Sequence, residues 1–160
     1  MTDKDGKNQD RKRKLRGKFL FRIPQNASEE QSEKERMQED TQGEELLNAA
    51  MDGDIDRIVQ LINDGVDVNY YSPSRRTRAI NLAGSGSWTA SMELLEAKGI
   101  KVLVKDGLGR LPSTLAMEVA EDPRLAQVLM AREIEEAEAA GHEYKDVLTS
   151  RVSLDTDPAP

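Results

Sequence analysis

From Leu46 onward the chain alternates short apolar stripes with glycine stops. Leu46, Leu47, Ala49 and Ala50 make one compact apolar face that runs into Gly53, a residue suited to the left-handed conformation that ends a helix. Ile55, Ile58, Val59 and Ile62 follow at i, i+3, i+4 and i+7, the spacing of a one-faced helix over 54–64 that stops at Gly65. So short a link between two helices of about ten residues predicts an antiparallel helical hairpin. Upstream, Thr41-x-x-Glu44 has the spacing of a capping box and predicts that the first helix starts at Thr41. Between Ser28 and Asp40, Met37 is the only large apolar residue, so that stretch has no face to bury. Downstream, Asp122-Pro123 reads as an N-cap with proline at the first helical position. Leu125, Val128, Leu129 and Ile134 then share a face before residues 133–138 turn polar and Gly141 ends the helix.

The pattern recurs. Gly65 and Gly99 are 34 residues apart, Ala83 and Ala116 are 33 apart, and Leu61-Ile62 returns 33 residues later as Leu94-Leu95. A turn plus two short helices has a period near 33. The segment Leu46 to Asn69, with Ala49-Ala50, Gly53-Asp54 and Gly65-Val66-Asp67-Val68-Asn69, resembles an almost complete repeat body of the ankyrin-repeat family. The family's opening pattern, D-x-x-G-x-T-P-L-H-x-A, is met at Asp106, Gly109, Pro112 and Ala116, with Leu111, Ser113 and Thr114 departing. The middle unit keeps Thr77, Ala83 and Gly86 but places Ser72, Arg75 and Arg78 where the family has Asp, Gly and Pro. Arg75 then falls where a positive φ is wanted, at a cost of about 1 kcal/mol unless the turn is rebuilt.

The resemblance implies an all-α fold, a solenoid of stacked helical hairpins with a C-terminal capping helix. Its units are expected at about 42–69, 70–103 and 104–141. A hairpin cannot bury both sides alone, so roughly three units must share a core. Residues 1–40 are expected to be a disordered charged arm, 41–141 the repeat domain and 142–160 a tail. Charge sharpens that division. Residues 1–23 sum to +6, residues 24–45 to −6 and residues 46–160 to −7, and single-sign blocks of this kind usually mark solvated segments.

Chemistry is thinly represented. Zero cysteines exclude disulfides and thiolate sites, and one histidine, His142, excludes every two-histidine metal site. Gly84-Ser85-Gly86-Ser87 lacks the Lys-Ser/Thr of a P-loop, and Ser87, Ser91 and Ser113 lack an evident base. The expectation is a non-enzyme without cofactor, metal or small-molecule substrate. The basic run Arg11, Lys12, Arg13, Lys14 with Arg16 and Lys18, beside Phe19-Leu20-Phe21, allows several readings. It suits nucleic acid or anionic lipid, an import signal in a nucleated cell, or a merely solubilising arm. With no apolar stretch of signal-peptide or membrane length, the chain is expected in the cytoplasm, or in the nucleus if the cell has one.

Binding surface is expected on the finger Tyr70 to Arg78, where tyrosines and arginines of the kind found at hot spots cluster. In ankyrin proteins the finger loops and inner helices face the partner. The expected contact residues are Tyr70, Tyr71, Arg75, Arg76 and Arg78, joined by Lys101, Lys105 and Arg110 from the next finger, against an acidic protein surface. Trp88, the sole tryptophan, is expected to fill the core beside Gly84 and Gly86, with an exposed anchor as the alternative. The functional expectation is a protein-binding scaffold; its rival is an adaptor that binds nucleic acid or membrane through the basic arm.

Overall fold

A computed structural model describes residues 26–149; the basic run and residues 150–160 lie outside them. Two compact units divide the chain, the first ending at Gln38 and the second starting at Glu39. The described residues are mostly helical, with seven helices and one two-stranded hairpin. In order these are α1 Ala27–Asp52, α2 Ile55–Asn63, β1 Tyr71–Ser72, β2 Thr77–Arg78, α3 Ala79–Gly84, α4 Trp88–Leu95, α5 Pro112–Glu118, α6 Pro123–Ala139 and α7 Tyr144–Thr149. The all-α expectation holds.

The helix start expected at Thr41 is corrected. Helix α1 begins at Ala27, where the Asn26 side chain accepts the Glu29 N–H at 2.9 Å. Asn26 supplies the cap that the Thr41 hydroxyl was expected to provide, and Gln31 and Glu35 bond one turn apart on the exposed face. Residues 27–40 are therefore part of this helix. Glu44, freed from capping, turns instead to the finger, as described below.

The helical pairs meet the sequence pattern closely. Gly53 and Gly65 both take positive φ, 69° and 87°, closing α1 and α2 where the stops were expected. Asp54 caps α2 through the Arg57 N–H, and Ile58 and Leu61 form the buried centre of its stripe, with Ile55 and Ile62 packed alongside. Helix α4 packs on α2 while α3 packs on α5, so neighbouring pairs share their sides. One continuous core runs from Leu46 and Leu47 through Ile80, Leu94 and Val104 to Leu125 and Leu129. Each such side chain, when fully buried, contributes about 1.5 to 3 kcal/mol. Gly84 lets α3 lie close against the start of α5, since a Cβ there would stand 3.0 Å from the Pro112 carbonyl oxygen.

Between α4 and α5 the chain runs as irregular loop, yet Val102, Leu103 and Val104 are buried. Buried backbone needs partners, and side chains supply them. The Asn69 Oδ1 accepts the Lys101 N–H at 2.8 Å, and the Glu136 carboxylate takes the Val102 and Leu103 N–H groups at 2.9 and 2.5 Å. The buried Asn81 Nδ2 donates to the Val104 carbonyl at 3.0 Å.

Helix α6 starts as expected, with Asp122 accepting the Leu125 N–H and Pro123 in the first turn. Its polar end does not stay in solvent. Glu133 is 0% exposed, and its carboxylate accepts from the Ser113 N–H at 3.1 Å and the Ser113 hydroxyl at 2.6 Å. It thereby caps α5, whose own N-cap is Leu111 and has no side chain able to do so. Tyr144 donates its hydroxyl to the same carboxylate at 3.1 Å. That contact corrects the tail expected from residue 142. Tyr144 opens α7, and Val147 is buried in a second cluster with Leu103, Leu111 and Ala137.

Burial pushes the Glu133 carboxyl up to about 7 from its ordinary 4.5, against hydrogen bonds from Ser113 and Tyr144 that favour the anion. The folded chain keeps a proton there that the unfolded chain has released. Stability should therefore fall as pH rises from about 4.5 to about 7 and level off above. Urea titrations at pH 5 and pH 7.5 measure this, and Glu133→Gln is expected to flatten the difference.

Candidate functional site

The finger is built by local bonding. Tyr71 pairs with Arg78 and Ser72 with Thr77, and the turn closes through the Arg76 N–H on the Ser72 carbonyl at 2.7 Å. Ser72 is buried, and its hydroxyl donates to Glu44 of α1 at 2.6 Å. Glu44 also accepts from the Tyr70 hydroxyl at 3.3 Å and pairs with the Arg75 guanidinium at 3.4 Å. The finger is thus pinned to α1 by one carboxylate. Tyr70 lies against Gly43, where any Cβ would run into its ring; burial and Glu44 push its hydroxyl up to about 12.

The expected contact residues separate into two groups. Arg78 is only 5% exposed, with its guanidinium 4.9 Å from the centre of the half-buried Tyr71 ring and its Nε donating to the Asn69 carbonyl at 3.3 Å. Lys105 is buried as well, and loss of water lowers its pKa. Arg78 and Lys105, expected at the surface, are buried instead, Arg78 because its guanidinium is taken up by the Tyr71 ring and its Nε by the Asn69 carbonyl. Tyr70 and Tyr71 are half-covered. Exposed or at the rim are Arg75, Arg76, Lys101 and Arg110. Arg75 also bonds Asn48, and Arg110 pairs with Asp106 at 2.9 Å.

The positive φ expected at Arg75 occurs one residue later, at Arg76, φ 53°. Its carbonyl accepts the Gly107 N–H at 2.7 Å, which joins the first finger to the second loop. A Cβ at Gly107 would stand 2.7 Å from the Cβ of Arg76, so only glycine lets the arginine stem lie there.

Between the finger and that loop opens a groove of about 470 Å³. Arg75, Arg76, Asp106 and Arg110 edge it, and Leu82, Leu115 and Val119 from α3 and α5 give it an apolar lining. Leu108, 78% exposed, and Val119, 52% exposed, are the large apolar side chains left open to it. Sequence reasoning named the charged edge and missed the apolar lining. Its signal was present, for Leu82 and Leu115 are 33 residues apart, one repeat period.

Elsewhere, Trp88 is 40% exposed at the first turn of α4, which corrects its expected core position; it borders a smaller cavity with Asp122 and Arg124. Ser87 instead occupies the glycine turn and caps α4 through the Ala90 N–H. His142 is exposed beyond α6. Among the described residues no group of three or more His, Cys, Asp or Glu side chains is placed to hold a metal ion, and no helix is long and apolar enough to cross a membrane. No family model matches the chain, and no curated protein matches it.

Arg76 and Arg78 of the finger should separate in a stability assay. Arg78→Ala, removing a buried side chain stacked on tyrosine, is expected to cost about 2 kcal/mol. Arg76→Gly relieves a left-handed arginine and should leave stability unchanged or raise it by up to about 1 kcal/mol. Thermal melts of both variants check the contrast.

Proposed function

We propose that the chain is a small ankyrin-type binding module that recognises a peptide segment of another protein, without catalysis. The groove between the finger and the loop of residues 105–110 carries this reading, because it combines an apolar lining with guanidinium edges on a framework whose backbone is already bonded. Further support comes from the stacking of paired helices at the 33-residue period read from the sequence. The mechanism is recognition by a preformed surface, in which little of the module has to be ordered on binding. Affinity would come from aliphatic side chains entering the lining and from charge-assisted bonds at the edge. The proposed setting is the cytoplasm, and among the described residues no helix is long and apolar enough to cross a membrane.

Peptide display against the full chain tests the reading. Selected peptides should lose at least tenfold in affinity for Leu108→Asp and Val119→Asp, both exposed positions whose replacement leaves the core intact. Gln60→Ala, on the exposed side of α2, should bind as the parent does. Peptides that bind all four proteins equally would show that the groove is not the binding surface.

A further inference from the structure

The edge of the groove carries three guanidiniums against one carboxylate, Asp106. That carboxylate is already engaged: it accepts from the Leu108 and Arg110 N–H groups at 3.0 and 2.9 Å and pairs with the Arg110 guanidinium. Arg110 is correspondingly occupied, and Arg75 is held by Glu44 and Asn48. Arg76 differs. Its backbone is bonded on both sides, through Ser72 and Gly107, while its guanidinium makes no hydrogen bond or ion pair among the described residues.

Its placement is costly in two ways that the fold nevertheless accepts. The backbone is left-handed at φ 53°, a region that favours glycine or asparagine over arginine. The second loop also has to place a glycine, Gly107, beneath the arginine stem. A solubilising charge would need neither, since any exposed position of the finger would serve. Strain held by its surroundings at the mouth of a cavity is a pointer to function. The stem lies on Gly107, which restricts the side chain and lowers the ordering cost of any bond that its head makes.

We propose that Arg76 is the specificity-determining residue of the groove, and that it selects an extended peptide carrying a side-chain carboxylate beside a large aliphatic residue. This rests on the peptide-binding reading above. A guanidinium offers paired N–H donors that match a carboxylate. The aliphatic neighbour enters the lining of Leu82, Leu115 and Val119, where an acidic residue alone would gain nothing. The charge balance of the edge favours an anion, although residues 46–160, in which the groove lies, sum to −7. The partner is therefore an acidic and aliphatic peptide segment.

Fluorescence anisotropy with the full chain tests this, using labelled Gly-Ser-Leu-Glu-Ser-Leu-Glu-Ser-Gly as the probe. Two counterparts carry Gln for every Glu, or Ser for every Leu. The Glu probe should bind at least fivefold more tightly than either counterpart, with the advantage over the Gln probe shrinking as salt is raised. Arg76→Gly should weaken the Glu probe to the level of the Gln probe and leave the Gln probe unchanged, and Arg76→Lys should restore part of the loss. Equal binding of the Glu and Gln probes, with both lost in Val119→Asp, would overturn carboxylate selection and leave the groove reading standing. No binding of any probe to the parent chain would overturn the selection of this peptide class, and the display experiment then decides the groove by itself. A phosphoserine version binding tenfold more tightly than the Glu probe would also overturn it, in favour of a phosphopeptide.

Discussion

Everything around the groove depends on the backbone of residues 101–104. Val102, Leu103 and Val104 are buried without belonging to a helix or a sheet, so their N–H and C=O groups have no regular partners. Unsatisfied, each would cost on the order of 1 to 3 kcal/mol. Asn69 from the end of the first helical pair, Asn81 from α3 and Glu136 from α6 each reach in to satisfy part of it. The Val104 N–H closes on the Val102 carbonyl at 2.8 Å. Three elements far apart in sequence are thereby tied to one strip of chain, and the loop that follows is placed against the first finger.

Polar residues at the other end act in the same way. Helix α5 begins at Leu111-Pro112, a start that suits the proline ring but leaves its N-terminal N–H groups without a side-chain cap of its own. Glu133 supplies the missing acceptor from α6, and Tyr144 covers that carboxylate from α7. The last three helices thus share one acidic group, which is why Glu133 is acidic and still packed. The apolar cluster beneath, Leu103, Leu111, Ala137 and Val147, is small.

This economy of tethering leaves the finger and the loop with distinct duties. Arg78, Tyr71 and Ser72 build the finger; Glu44 holds it to α1; Arg76 is what it presents. Buried cations of the Arg78 kind need a partner at close range, and the tyrosine face with a backbone carbonyl provides one. Charge counted along the sequence overstates how much of it a partner would meet, because most of the basic residues of this region are engaged within the fold.

Local pattern by itself determined α2 and the bounds of α6, because a helical stripe and its glycine or aspartate boundaries depend on neighbours within a few positions. Where an acceptor or donor lies far along the chain, the sequence was silent. Thr41 looked like a cap because Asn26 and the requirements of Ser72 were invisible from its neighbours. Glu133 and Glu136 looked like solvent residues because their partners are 20 and 33 to 34 positions away. Arg78 and Lys105 looked exposed because charge usually is. The groove's edge was legible as a cluster of arginines, but its lining and its one open guanidinium were not. Which of several like charges remains unpaired is decided only when the folded chain has brought each of them to its partner.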